Sequence, residues 1–158
     1  MTQVPRRPYI DKVHPGVYKA MNGAVMAART VYGEVGLPVS LIELVNVRVS
    51  QINGCPTCLS VHVPAARKAG VEQRVLDLLP SWREIRETGS AGVFTVEQFA
   101  ALELAEALTS VEGTADAVAG ASEVFTEEQV SALEWAIILI NSYNRVSIGS
   151  GHPPGGAR

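Results

Sequence analysis

The run Glu43-Leu44-Val45-Asn46-Val47-Arg48-Val49-Ser50-Gln51-Ile52-Asn53-Gly54-Cys55-Pro56-Thr57-Cys58-Leu59-Ser60-Val61-His62 reads as the junction of two helices that carries a pair of thiols. Asn53-Gly54 is a natural left-handed stop. Pro56 suits the first turn of the next helix, where a missing N–H has no consequence. Upstream, the first helix starts at Ser40, because Ser40-Leu41-Ile42-Glu43 has the form of a capping box, and it runs through Val45 and Val49. Downstream, the second helix continues to Ala69, with Gly70 as its cap. Val45-Asn46-Val47-Arg48-Val49 imitates a strand, but no alternating pattern elsewhere supports a sheet.

The junction concentrates chemistry. With Pro56 in the first turn, Cys55 is the N-cap and Cys58 the third helical residue. Unpaired amide N–H groups and the helix dipole converge there and favour thiolate over thiol. Cys55 and Cys58 share a face and can close a disulfide, and His62 follows Cys58 one turn up the same face. A nucleophile, a resolving thiol and an acid–base group thus lie on one strip. The dipole favours Cys55 as the more acidic thiol, whereas the neighbouring imidazole favours Cys58. Glu43 is fully explained as half of a capping box. If the chain reverses near Gly54, however, Glu43 lies about 5 Å past His62 and about 10 Å past Cys58, at about 1.5 Å per residue. It then reaches His62, and serves Cys58 only through water or a tilted helix.

Other readings of the cysteines are weaker in pattern. Free cysteine packs well as a small hydrophobe. A zinc site from Cys55, Cys58 and His62 lacks a fourth ligand, since His14 and His152 lie in the terminal regions. Covalent haem attachment needs histidine where Leu59 stands. No phosphate-cradling glycine loop is present, and no metal, flavin or nucleotide cofactor is called for.

Working outward, Pro15 opens an earlier helix with Val17, Met21, Ala24, Ala28, Val31 and Val35 at helical spacing, ended by Gly36 and Pro38. Short helices follow around 71–79 and 82–87. Two segments echo each other: Phe94-Thr95-Val96-Glu97-Gln98-Phe99 and Phe125-Thr126-Glu127-Glu128-Gln129-Val130 each combine a Thr/Gln cap with a hydrophobic staple, which two convergent helix starts explain better than a duplication. Residues 113–122 read as a small-residue linker. One domain is expected over 1–148, with a Gly/Pro-rich flexible tail over 149–158.

The length of 158 residues suits a single domain that buries about two-thirds of its unfolded surface. Charged residues make up only 18%, against about 25% in ordinary soluble domains, so part of the surface is expected to be covered by other subunits. A net charge of −3 excludes a basic stripe and hence nucleic acid. Residues 1–9 carry arginines without an apolar run behind them, which is not a secretory signal. The aliphatic run at 137–140 is too short to span a membrane. The expected compartment is therefore the cytoplasm, where a CxxC pair reads as redox or metal chemistry.

The stretch from Glu43 to His62 resembles the core motif of alkylhydroperoxidase AhpD-like proteins in the carboxymuconolactone decarboxylase family: a glutamate, a CxxC pair twelve residues on, and a histidine four after the second cysteine. The likeness is strongest over 40–83 and extends more loosely over 94–145, including Asn141-Ser142-Tyr143-Asn144-Arg145. It implies an all-α helical bundle that assembles as a homo-oligomer, a trimer or a hexamer. The implied activity is thiol-dependent reduction of hydroperoxides. Cys58 would attack the peroxide, Cys55 would resolve the sulfenic acid, and Glu43 with His62 would relay protons. A lipoyl-type or thioredoxin-like dithiol would restore the pair. Peroxidase members carry another histidine where this chain has Thr57, and decarboxylase members generally lack the CxxC. The same dithiol would also serve a non-enzymatic redox sensor or a disulfide-exchange protein.

Overall fold

The helix that begins at Val39 carries Leu41, Ile42, Leu44, Val45, Val47 and Val49 around much of its circumference, and burying them places it inside the protein. In the computed structural model, which describes residues 5–90 and 92–155, it is the central element. In chain order the elements are α1 (Ile10–Val13), α2 (Pro15–Glu34), α3 (Val39–Asn53), α4 (Pro56–Lys68), α5 (Gln73–Leu78), a 3₁₀ turn (Leu79–Ser81), α6 (Trp82–Glu87), α7 (Val96–Ser110), α8 (Thr114–Ser122) and α9 (Glu127–Ser150). No strand occurs among the described residues, so the all-α expectation holds.

α3 packs on α4, α7 and α9. On one side Leu41, Val45 and Val49 join Leu104, Ala105, Leu133 and Ile137 in a core that includes both cysteines. On the other, Leu44 and Val47 meet Leu79, Trp82, Leu102 and Ala66. Each fully buried aliphatic side chain contributes roughly 1.5–3 kcal/mol. Both Thr/Gln caps form as boxes: Gln98 N–H donates to Thr95 Oγ1 at 3.2 Å, and Gln129 N–H to Thr126 Oγ1 at 3.3 Å. The Phe94 and Phe99 rings pack in a tilted arrangement at 5.6 Å between centroids, completing the first staple.

Three local expectations are corrected. α3 begins at Val39 with Pro38 as its N-cap, so the capping box expected from Ser40 and Glu43 does not form. The Pro38 carbonyl already accepts from Leu41 and Ile42, which draws Ser40 into the helix and away from the extended conformation a capping residue needs. Residues 113–122 are not a linker: Thr114–Ser122 is a helix whose alanines let it lie close on α7, with Ala117 and Ala121 buried. The last helix runs past 148 to Ser150 and stops at Gly151, which has φ +68°. Residues 151–155 fold back onto α4, where Gly155 N–H donates to Ser60 Oγ at 2.7 Å; residues 156–158 lie outside the described residues. No residue of α2 is buried, and its apolar residues Val17 and Met26 are 71% and 62% exposed. α2 rests on α9 through the edge-to-face pair Tyr18–Tyr143. No helix among the described residues is long and apolar enough to cross a membrane.

Candidate active site

The site is built on the turn between α3 and α4. Gly54 adopts φ +64°, a left-handed conformation that costs an L-residue about 1–2 kcal/mol. The turn closes with Gly54 N–H on Gln51 O and Cys55 N–H on Ser50 O, satisfying the last carbonyls of α3. It is clamped to α9 by side-chain amides. Asn53 donates to Asn141 Oδ1 and Asn144 Oδ1, each at 2.9 Å, while buried Asn144 donates to Ser50 Oγ at 3.1 Å. Asn141 in turn donates to Thr109 Oγ1 on α7 and accepts from Arg145. These residues hold the turn rigidly in place and stand outside the reacting strip.

As the spacing predicts, Cys55 is the N-cap of α4, Pro56 its first residue and Cys58 its third. Cys58 N–H donates to Cys55 Sγ at 3.3 Å. The two cysteines form a disulfide with Cα atoms 5.4 Å apart. Their surroundings differ. Cys55 is wholly buried, whereas Cys58 is 6% exposed and lines a cavity of about 930 Å³. The helix dipole acts on both sulfurs, and only Cys58 also faces space that a substrate can occupy.

His62 and Glu43 line the same cavity, and His62 Nδ1–H donates to Glu43 Oε2 at 2.7 Å. A carboxylate can only accept, so the contact fixes the imidazole tautomer when the ring is neutral and pairs the charges when it is protonated. The apolar part of the wall comes from Met26, Leu37, Ile42, Leu139 and Ile140. Tyr32 and Tyr143 also border it. Burial pushes the Tyr32 phenol up to about 12 against the opposing pull of Arg29, and burial likewise raises Tyr143. Neither phenol is a ready proton donor at neutral pH.

Two further residues enter the cavity that the sequence did not single out as part of the site. His152 follows Gly151, and its Nε2 lies 3.0 Å from Oδ1 of Asp11 on α1. Thr57, next to Cys58, donates its hydroxyl to the His152 carbonyl at 2.7 Å. His152 was legible only as a terminal histidine, and Asp11 carried no signal. Among the described residues, no three of His, Cys, Asp and Glu gather into a metal-holding group.

A separate cluster lies on the far side of α3. Glu106 accepts from Arg48 Nε at 2.8 Å, Trp82 Nε1 at 2.7 Å and Arg83 Nε at 2.8 Å, and Glu103 pairs with Arg83 and Arg86. Each of its three arginines pairs with one or both of the two carboxylates, and it borders a different cavity from that of Cys58.

Comparison with known proteins places this arrangement. The sequence profile of the Carboxymuconolactone decarboxylase family matches residues 15–107, a stretch that spans Glu43, both cysteines and His62. The uncharacterized protein YdfG of Bacillus subtilis (strain 168) is 35% identical over 113 residues, which make up 70% of this chain and 73% of that one. The crystal structure of ATU0492 from Agrobacterium tumefaciens superposes with a TM-score of 0.78 and 29% identity, covering 95% of this chain and 98% of the other. That protein is described as of unknown function and as a candidate antioxidant-defence protein AhpD.

Proposed function

The chain belongs to the carboxymuconolactone decarboxylase family, and from that premise we propose that it is a thiol-dependent peroxidase of the AhpD type, reducing organic hydroperoxides through a Cys55/Cys58 dithiol–disulfide cycle. The observation that carries this reading is the asymmetry of the pair: Cys58 borders the cavity beside a carboxylate–imidazole couple, and Cys55 stands behind it as a buried resolving thiol.

The chemistry follows from that placement. In the reduced protein His62, held by Glu43, takes the Cys58 proton. The thiolate attacks the terminal peroxide oxygen, the O–O bond breaks, and the departing alkoxide takes up a proton to leave as the alcohol. Cys58 is then a sulfenic acid. The Cys55 thiol attacks it, water leaves, and the disulfide closes. An external dithiol of the lipoyl or thioredoxin class returns both thiols by exchange. The aliphatic wall favours a hydroperoxide with an alkyl or aryl body over hydrogen peroxide. The protein works as a homo-oligomer in the cytoplasm, with the exposed stripe of α2 covered by another subunit.

Thiol titration tests the cycle. The reduced protein should show two reactive thiols per chain and none after one equivalent of cumene hydroperoxide, with both recovered on adding dithiol. Retention of both thiols, or crosslinks between chains alone, contradicts the proposal.

A further inference from the structure

We propose that His152, oriented by Asp11, is the catalytic acid that protonates the oxygen expelled from the hydroperoxide. This rests on the peroxidase reading above and assigns a step for which the Glu43–His62 couple is poorly placed.

Displacement at the peroxide bond is in-line. The leaving oxygen lies beyond the attacked one, two bonds from sulfur and directed away from α4. His62 stands on α4, one turn from Cys58, and its Nδ1 is committed to Glu43. It suits removal of the thiol proton. The acid for the far oxygen must come from another element that borders the same cavity. Besides Glu43, whose carboxylate is taken up by His62, the titratable side chains of that kind are Asp11, Tyr18, Tyr32, Tyr143, Arg29 and His152. Phenols and guanidinium groups as classes are poor proton donors near neutral pH, and imidazole is the side-chain type that exchanges a proton there.

His152 is also built in. Its carbonyl is pinned by Thr57, the residue beside Cys58, and its ring packs edge-on to Tyr9 at 4.6 Å. Asp11, only 7% exposed, holds Nε2 at 3.0 Å. Burial raises the Asp11 carboxyl, but the Lys12 hydrogen bond and the neighbouring His152 outweigh it and bring it below its usual range. An ionised Asp11 stabilises the imidazolium and fixes its ring, leaving Nδ1 as the nitrogen that gives up a proton. Asp11 is thus a positioning residue. The step balances: Cys58 thiolate, hydroperoxide and the His152 proton become sulfenic acid and alcohol, and neutral His152 regains a proton from water.

Peroxides with different leaving groups separate this role from a structural one. Cumene hydroperoxide expels a strongly basic alkoxide that needs a proton, whereas peracetic acid expels acetate, which does not. Single-turnover oxidation of Cys58, followed by stopped flow, should slow about 30-fold or more with cumene hydroperoxide in His152→Ala and by less than threefold with peracetic acid. Added imidazole should restore part of the loss, and Asp11→Asn should show the same selectivity in weaker form. Equal slowing with both peroxides, or no slowing with either, overturns the assignment. A wild-type protein that reacts with peracetic acid alone, or with neither peroxide, overturns the peroxidase reading itself and this inference with it.

Discussion

The carboxylate of Glu43 and the imidazole of His62 meet at 2.7 Å, although one belongs to α3 and the other to α4, on either side of the Gly54 turn. The contact depends on the antiparallel packing of the two helices, and it turns Glu43 away from helix capping toward the cavity.

Exchange of Glu43 follows from this geometry. Glu43→Gln keeps an oxygen to accept from His62 but loses the charge that strengthens the imidazole as a base. Sulfenate formation at Cys58 should slow by about 10²-fold, while stability changes by less than about 1 kcal/mol. Glu43→Ala should slow it similarly and also cost about 1–3 kcal/mol, since a largely buried ring nitrogen loses its partner. Stopped-flow rates and urea melts on both variants decide this. Wild-type rates in Glu43→Gln would leave Glu43 a purely structural partner.

The two cysteines should fail differently. Cys58→Ser removes the sulfur on the cavity and should abolish reaction with peroxide. Cys55→Ser should react once and accumulate sulfenic acid, detectable by dimedone trapping and mass spectrometry. An inert Cys55→Ser beside an active Cys58→Ser would reverse the assignment.

Acid stability should report Glu106. Burial raises its carboxyl, but hydrogen bonds from Trp82, Arg48 and Arg83 more than offset this and hold it below the usual carboxylate range. A depressed carboxylate stabilises the fold above its unfolded pKa, and that stabilisation is lost as pH falls through the folded value. Urea unfolding should therefore show a plateau at neutral pH and a decline below about pH 4.5. Glu106→Gln should lower the plateau by about 1–3 kcal/mol and flatten the decline. An unchanged pH profile in the variant would remove Glu106 from the network's energetics.

Assembly is tested at α2. A helix of twenty residues with none buried is expected to be covered in solution. Light scattering at micromolar concentration should give a trimer or hexamer, and Val17→Asp with Met26→Glu should shift it toward smaller species. A wild-type monomer would contradict the expectation.

Much of this architecture was legible because its signals are local. Gly54, Pro56 and the Thr/Gln pairs at 95/98 and 126/129 announce helix ends through backbone chemistry that acts within four residues. The reach from Glu43 to His62 followed from helix rise alone. What escaped depended on a competition between neighbouring caps or on packing between helices. Pro38 took the cap from Ser40 by starting the helix early, and a pattern match could not weigh the two. The alanines of α8 form a helix by packing on α7, and small residues read alone resemble a linker. His152 and Asp11 come from opposite ends of the sequence, and nothing local to either marks the pairing.

The most direct test is steady-state turnover of purified protein with cumene hydroperoxide and a dithiol donor such as dihydrolipoamide, following loss of peroxide. Many equivalents of peroxide should be consumed per chain, at a rate proportional to protein, and none by Cys58→Ser. Consumption that stops at one equivalent, or proceeds equally in Cys58→Ser, would contradict a peroxidase working through this dithiol.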